Sequence, residues 1–162
     1  MIEINPAVVP QHLPLVRRLF RDYAASLDIS LDFQDFDTEL AGLPGDYQPP
    51  AGRLLLAWHE DQAVGCVALR PLEPGVCEMK RLYVTPAARA TGLGRRLAER
   101  ICGEARAASY SCIRLDTLAS MSAARRVYQS LGFREIGPYC FNPSPDAVFL
   151  ELDLGLEPDQ GR

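Results

Sequence analysis

The chain has 162 residues, of which 48% are hydrophobic, and a formal net charge of −4. This length suits a single core, and the acidic balance, with no basic run longer than two residues, disfavours general nucleic-acid binding. No apolar stretch approaches the roughly 20 residues that span a bilayer, and no basic region followed by an apolar one opens the sequence, so we expect a cytoplasmic protein without membrane attachment.

Five cysteines and two histidines limit metal and redox chemistry. Neither histidine belongs to an HExxH motif and no CxxC pair occurs, so the spacing that binds zinc is missing. We therefore expect free thiols in a reducing compartment and no metal site. The cysteines are Cys66, Cys77, Cys102, Cys112 and Cys140.

The first half of the chain predicts a short strand, two helices and three further strands. Leu15, Leu19, Tyr23 and Leu27 recur at helical spacing, which predicts the first helix. A loop rich in proline and glycine follows the second helix, because neither residue type sustains a regular ladder. The predicted elements are a strand at 2–4, helices at 13–27 and 37–43, the loop at 44–52, and strands at Arg53–His59, 63–70 and Val76–Val84.

The second half of the chain alternates helices and strands. The predicted elements are a helix at 92–108, a strand at Cys112–Leu118, a helix at 122–131, and strands at 135–141 and 147–154. A strand–helix–strand unit implies parallel neighbours, whereas the hairpins imply antiparallel pairing. We therefore predict an α/β fold in one domain over residues 1–162, with a mixed sheet, helices on both faces and a frayed tail at 155–162.

A short loop between a predicted strand and a predicted helix carries Arg89-Ala90-Thr91-Gly92-Leu93-Gly94. The first turn of a helix leaves backbone N–H groups without partners, and the helix dipole adds about half a positive charge there. Glycine lets the backbone approach a phosphate oxygen without interference from a Cβ atom. The loop is therefore a candidate anion-binding site.

Four motifs together resemble the GNAT superfamily of acyl-CoA-dependent N-acetyltransferases, and they cover nearly the whole chain. They are the segment 77–86, the loop Arg89-x-x-Gly92-x-Gly94, the strand Leu115-Asp116-Thr117-Leu118, and Ala124-x-x-x-Tyr128-x-x-x-Gly132-Phe133. The resemblance implies a central sheet of about seven strands, splayed between its fourth and fifth strands. It also implies direct attack of a primary amine on acetyl-CoA in a ternary complex, without a metal.

The resemblance also assigns residues to the cofactor. The pyrophosphate is expected on the backbone of Ala90, Thr91, Gly92, Leu93, Gly94 and Arg95, and the pantetheine arm along Leu82, Tyr83 and Val84, as if it were an added strand. Arg89, Arg95 and Arg96 either contact the phosphates or stay in solvent.

One position departs from the family pattern. Met121 stands where many members carry an asparagine three residues before the alanine of the tyrosine helix. Either Ser120 or Ser122 replaces the amide contact to the pantetheine arm, or a serine caps the helix.

Two residues are candidates for proton transfer. Tyr128 is the expected general acid for the departing thiolate, because a phenol with a pKa of about 10 is protonated at neutral pH; the alternative is that its ring only packs. Glu78 is either the general base or a structural charge paired with Lys80 or Arg114, in which case a water chain serves as the base. Backbone N–H groups of Leu82 and Val84 are expected to stabilise the oxyanion.

The acceptor is the least determined part of this reading. A small-molecule amine is favoured over a protein N-terminus or lysine, and a non-catalytic acyl-CoA sensor is a further alternative. An acidic group of residues in the first helices and their loops either attracts a cationic amine or only keeps the protein soluble. A homodimer through an exposed edge at 147–154 is also allowed. The acidic residues are Asp28, Asp32, Asp35, Asp37, Glu39 and Asp46.

Overall fold

The computed structural model describes residues 1–27, 30–32 and 35–155. Its elements follow the predicted order closely. The strands are β1 (Ile2–Pro6), β2 (Arg53–His59), β3 (Gln62–Glu73), β4 (Val76–Val84), β5 (Cys112–Leu118), β6 (Arg134–Ile136) and β7 (Ala147–Asp153). The helices are α1 (Leu13–Ala25), α2 (Phe36–Ala41), α3 (Leu93–Ala107) and α4 (Ser122–Ser130).

The seven strands form one mixed sheet in the order β1-β2-β3-β4-β5-β7-β6. Every neighbouring pair is antiparallel except β4 and β5. That parallel pairing runs only from Val76 opposite Cys112 to Glu78 opposite Arg114, and then the two strands diverge. The predicted mixed sheet and its splay between the fourth and fifth strands are confirmed.

Two hydrophobic cores cover the two faces of the sheet. Successive side chains of a strand point to opposite faces, so Leu55 and Val67 pack with α3 and α4, whereas Leu56 and Ala68 pack with α1 and α2. On α3, Leu97 is fully buried within the first core. β4 contributes to both cores, through Met79 and Tyr83, whereas Ile113 and Leu115 of β5 lie in the first.

The last two strands differ from the expectation. β6 covers only Arg134–Ile136 instead of 135–141, because Gly137 and Pro138 follow, and proline cannot donate to a ladder. This short strand lies beside β7 and pairs with Phe149, Leu150 and Glu151, so the edge expected at 147–154 is partly covered. Of the predicted tail, residues 156–162 lie outside the described residues. No helix in the described ranges is long and apolar enough to cross a membrane.

Candidate active site

A long cleft opens between the end of β4, the loop that follows it and the start of α4. We call it the loop cleft; its volume is about 740 Å³. Every residue predicted to bind the cofactor lines it except Thr91 and Arg96. The lining residues are Tyr23, Ser26, Leu82, Tyr83, Val84, Ala88, Arg89, Ala90, Gly92, Leu93, Gly94, Arg95, Ser120, Met121, Ser122, Ala123, Ala124, Arg126 and Val127.

The loop before α3 leaves its amide groups facing an open end of the helix. Gly92 is the N-cap with φ +81°, a left-handed conformation that glycine adopts without strain, and no side chain among the described residues caps this helix. The first bond within the helix runs from the Arg96 N–H to the Gly92 carbonyl at 3.2 Å. Thr91 points away from the cleft and donates a 2.6 Å hydrogen bond to the Ala88 carbonyl, which tightens the loop. Preceding amides are therefore available to an anion.

Two of the three predicted phosphate-binding arginines line the loop cleft. Arg89 donates to the Val84 carbonyl at 3.1 Å and lies over the Tyr83 ring, 5.8 Å from its centroid. Arg95 hydrogen bonds Ser130 and forms an exposed ion pair with Glu99 at 3.3 Å. Both guanidinium groups thus lie beside the loop while held by neighbouring residues.

The third arginine, Arg96, lies elsewhere. It does not line the loop cleft and instead donates a 2.8 Å hydrogen bond to the Ile2 carbonyl on β1. The expected phosphate contact is therefore unsupported for Arg96. Arg126 on α4 lines the cleft in its place, and sequence reasoning missed it because an exposed arginine on an amphipathic helix carries no distinguishing signal.

The two serines flanking Met121 both line the loop cleft. The N-cap of α4 is Met121 itself, and no side chain caps the helix in the part of the chain that the structure describes. The capping alternative for Ser120 and Ser122 is therefore wrong. Their position at the wall of the cleft leaves the contact with an extended ligand as their remaining predicted role.

A second, smaller space lies between β4 and β5 where the strands diverge. We call it the inner cavity; its volume is about 50 Å³. It shares Tyr23, Leu82, Met121 and Ala124 with the loop cleft, so the two spaces adjoin. The remaining lining residues are Leu27, Leu31, Met79, Lys80, Arg81, Leu115, Asp116, Thr117, Leu118, Tyr128 and Asn142.

Tyr128 lies on α4 and faces the inner cavity with only 6% of its surface exposed. Its ring packs against Phe133 at a centroid distance of 5.6 Å. Within the described ranges no group hydrogen bonds its hydroxyl, and burial raises the pKa of the phenol. The ring is thus packed as in the structural alternative, while the hydroxyl keeps its proton and has no hydrogen-bond partner among the residues that the structure describes.

Glu78 lies at the last paired position before the splay and is 1% exposed. Its Oε1 accepts a 2.9 Å hydrogen bond from Arg70 Nε, and its Oε2 accepts one of 2.7 Å from the Tyr139 hydroxyl. The carboxylate lines neither the loop cleft nor the inner cavity. Glu78 therefore forms an ion pair, as in the structural alternative of the sequence analysis, but its partner is Arg70 and not Lys80 or Arg114.

Asp116 on β5 is an acidic residue of the inner cavity that the sequence analysis did not single out. Its Oδ2 accepts a 3.0 Å hydrogen bond from Asn142 Nδ2, and the described residues form no salt bridge with it. A carboxylate in the strand beside the predicted splay was the available signal. Of the acidic residues proposed to attract a cation, none that the structure describes lines this cavity, and Asp28 lies outside the described residues.

Two basic side chains also reach the inner cavity. Lys80 is 6% exposed, and burial lowers the pKa of its amine while the nearby Glu78 carboxylate opposes that shift. Arg81 is 3% exposed and forms a two-point ion pair with Glu39 of α2, at 2.6 and 3.0 Å. A buried charge of this kind is tolerated only when its partner is in place.

A β-bulge brings the loop cleft and the inner cavity together. Cys66 of β3 pairs with Tyr83 of β4, and Ala68 pairs with Lys80. The single β3 residue between Cys66 and Ala68 therefore lies opposite two residues of β4, Arg81 and Leu82. Arg81 has φ +62°, which a residue with a side chain rarely adopts. Leu82, which follows it, lines both spaces.

Comparisons with known proteins agree with this geometry. Residues 15–133 match the family model described as "Acetyltransferase (GNAT) family". An uncharacterised N-acetyltransferase of Schizosaccharomyces pombe is 40% identical over 155 residues, covering 94% of this chain and 95% of that protein. The N-acetylaspartate synthetase of Danio rerio is 32% identical over 119 residues, covering 71% of this chain and 42% of that protein.

A solved structure shares the fold. An acetyltransferase from Salmonella typhimurium, determined with its cofactor acetyl-CoA, superposes with a TM-score of 0.72 at 20% identity, covering 97% of this chain and 96% of that one.

Proposed function

Because the chain belongs to the GNAT family of N-acetyltransferases, we propose that it moves an acetyl group from acetyl-CoA to the primary amine of a small molecule. One observation carries the proposal: the loop cleft, lined by the anion-binding loop, opens at Leu82 into the cavity that holds Tyr128 and Asp116. A ligand extending along the cleft would bring its end to those two side chains.

The residues present fit acetyl-CoA. The uncapped first turn of α3 offers amides to a diphosphate, and Arg89, Arg95 and Arg126 add positive charge along the same wall. Because β4 and β5 part after Glu78, the next residues of β4 lack a ladder partner on that side, as a peptide-like arm requires. The fold neighbour determined with acetyl-CoA is consistent with this assignment.

The chain's own groups supply binding and proton transfer. Acetyl-CoA contributes an activated acyl carbon in its thioester. In the proposed ternary complex, the new C–N bond forms as the C–S bond breaks, and the Tyr128 hydroxyl gives its proton to the departing sulfur. The substrate ammonium loses one proton to a base before it attacks, and its nitrogen loses a second proton once the C–N bond has formed, which replaces the proton that Tyr128 gave up. Amides of Leu82 and Val84 donate to the carbonyl oxygen. The net products are the acetylated amine, CoA thiol and one proton.

We assign Asp116 to the substrate ammonium. Its carboxylate lines the inner cavity near Lys80 and accepts a hydrogen bond from the neutral Asn142 at Oδ2, while Oδ1 accepts none from the described residues and can meet an ammonium. An ammonium must lose a proton before it can attack, and a carboxylate at hydrogen-bond distance can accept it. Glu78 stays the alternative base, although its two oxygens already accept bonds from Arg70 and Tyr139.

A small acceptor fits the dimensions of the site. The inner cavity has a volume of about 50 Å³, enough for an amine group with few attached atoms. A relative that is 32% identical is named for making N-acetylaspartate, the acetylated form of a small-molecule amine. Both observations favour a small molecule over a protein segment.

Two measurements test the proposal. Calorimetry should detect binding of acetyl-CoA to the purified chain, and thiol release should follow when a panel of amino acids, polyamines and peptides is added. Absence of acetyl-CoA binding would overturn the assignment of the loop cleft. Binding without thiol release for any amine or peptide would favour the sensor alternative.

A further inference from the structure

We propose that Glu39 is a positioning residue for catalysis, which acts through Arg81 to hold the β4 bulge in the conformation that presents the Leu82 amide to the reacting carbonyl. The inference rests on the proposed function, since that amide is assigned to the thioester oxygen. Glu39 itself lines neither the loop cleft nor the inner cavity. Any effect on chemistry must therefore pass through Arg81.

The bulge needs an outside restraint. Arg81 has φ +62°, and the Cβ atom of an L-residue makes that conformation unfavourable relative to an extended strand. Without a restraint, β4 could relax into regular pairing with β3. A one-residue change of register would turn the following side chains and amides to the opposite side. Leu82 is the first residue that such a change would move.

The side-chain contacts of Arg81 supply that restraint. Arg81 Nε and Nη2 bind the two carboxylate oxygens of Glu39 at 3.0 and 2.6 Å, which fixes the plane of the guanidinium group. The same group lies over the rings of Phe36 and Tyr23, at 5.1 and 5.8 Å from their centroids. Fixing the end of a buried side chain also fixes the backbone that carries it.

Two further contacts hold the same unit. The Tyr47 hydroxyl donates a 3.0 Å hydrogen bond to Glu39 Oε2, so the carboxylate is oriented before it meets Arg81. On the other side, the Cys66 thiol donates to the Arg81 carbonyl at 3.2 Å. The bulge is thus held by its backbone from β3 and by its side chain from α2.

The arrangement connects directly to the reacting groups. Tyr23, whose ring lies against Arg81, lines both the loop cleft and the inner cavity, as Leu82 does. A salt bridge that served only to attach α2 to the sheet would have no need to end on the strained residue of the bulge. The Glu39–Arg81 ion pair therefore connects α2 to the β4 bulge that positions Leu82.

The test compares Glu39→Gln with the wild-type chain by three readouts. The Leu82 amide is followed in the free protein by NMR with ¹⁵N-leucine labelling. The carbonyl stretching frequency of bound [1-¹³C]acetyl-CoA is followed by infrared spectroscopy, because hydrogen bonds to a carbonyl oxygen lower it. We expect a moved Leu82 signal, loss of most of the carbonyl shift, and a fall in kcat of about 10-fold or more with acetyl-CoA affinity nearly unchanged.

Glu104→Gln is the matched control. Glu104 forms ion pairs of similar length with Arg53 and Arg100, at 2.9 and 3.0 Å, on α3 away from the bulge. The Glu104→Gln variant should have a lower melting temperature than the wild type but the same carbonyl frequency and the same kcat.

The double variant Glu39→Gln/Arg81→Gly separates positioning from stability. Glycine adopts positive φ without the restraint, so the carbonyl shift should return towards the wild-type value although the chain loses the ion pair. If Glu39→Gln does not fold, Tyr47→Phe supplies the milder perturbation, with a smaller change in the same direction.

Two results would overturn the inference. One is a wild-type carbonyl shift in folded Glu39→Gln, or in Tyr47→Phe if the first variant does not fold; the other is a double variant no closer to the wild type than Glu39→Gln alone. Absence of acetyl-CoA binding by the wild-type chain would instead count against the proposed function.

Discussion

Glu78 on β4 lies opposite Arg114 on β5, yet it forms its ion pair, at 2.9 Å, with Arg70 on β3, the neighbouring strand on the opposite side of β4. Arg114 is instead bound to Glu151 on β7, also at 2.9 Å. The last rung before the splay is therefore flanked by ion pairs that link β3 to β4 and β5 to β7, and a longer pair of Arg114 with Glu73, at 3.6 Å, links β5 to β3. The strands part where these links end.

Replacing the buried carboxylate tests its structural role. Glu78→Gln leaves Arg70 without its counter-charge, and because the Arg70 side chain is 36% exposed to solvent, the loss costs about 1 kcal/mol of the free energy of unfolding. Urea unfolding measures this loss, and calorimetry should show nearly unchanged acetyl-CoA affinity. If the variant is as stable as the wild type but inactive, Glu78 is the base and Asp116 is not.

Replacing Asp116 tests the proposed proton acceptor. Asp116→Asn keeps the shape and the contact with Asn142 but removes the charge that faces the ammonium, so we expect kcat/KM to fall about 100-fold at neutral pH. The deficit should shrink as the pH approaches the amine's own pKa of about 10, where the nucleophile no longer needs a base. A deficit that stays constant from pH 7 to 10 would argue against this role.

Replacing Tyr128 tests the proposed acid. Tyr128→Phe removes a hydroxyl that has no hydrogen-bond partner among the described residues, so the melting temperature should change little. The loss of the acid should lower kcat about 100-fold. Thiol release measured at saturating acetyl-CoA checks both expectations. Full activity would leave only the packing role of the ring.

Replacing Gly94 by alanine should have opposite effects on the stability of the chain and on its affinity for acetyl-CoA. Gly94 lies in the first turn of α3, and a Cβ there would meet nothing closer than Val84 Cγ2 at 4.0 Å. Gly94→Ala should therefore raise the free energy of unfolding by about 0.5 kcal/mol. The same methyl group points towards the cleft assigned to the diphosphate, so acetyl-CoA affinity should fall about 10-fold. Equal affinity would place the diphosphate elsewhere.

Alkaline pH should destabilise the folded chain. Burial raises the pKa of Tyr47 and of Tyr128 above the unfolded value of about 10. Their contribution is complete below that pH and decreases above it, since only the unfolded state then releases the phenolic protons. At pH 11 each buried phenol should cost about 1 kcal/mol. Denaturant unfolding between pH 9 and 11 measures the decrease, and Tyr128→Phe should reduce it.

Local sequence patterns accounted for most of the fold. The apolar runs of β2 and β3 and the helical stripe of α3 depend on neighbouring residues. β2 was predicted to its ends and α3 to within one residue, whereas β3 extends to Glu73, three residues past its predicted end. β6 was overestimated because strand propensity was extended across Gly137 and Pro138. Helical spacing also gave no means of knowing which way Arg96 would turn, since that choice depends on β1, more than 90 residues earlier in the chain.

The lining of the loop cleft was largely predicted from the sequence, and the lining of the inner cavity only in part. A loop of consecutive residues can be read from one short motif, so the lining of the loop cleft followed from 89–95. The inner cavity is assembled from β4, β5 and helices that are distant in sequence. Asp116 becomes distinct only when the divergence of β4 from β5 exposes it. The partnership of Glu39 with Arg81 likewise depends on tertiary packing, since 42 positions separate them.

The turn of Arg96 towards β1 has a consequence for the outer border of the sheet. Arg96 and Arg100 each donate a 2.8 Å hydrogen bond to a carbonyl of this border strand, at Ile2 and Ile4, and Pro6 has no N–H to offer. A foreign strand seeking to extend the sheet there would have to displace two charge-assisted bonds. These two contacts therefore disfavour the addition of another strand to the sheet at β1.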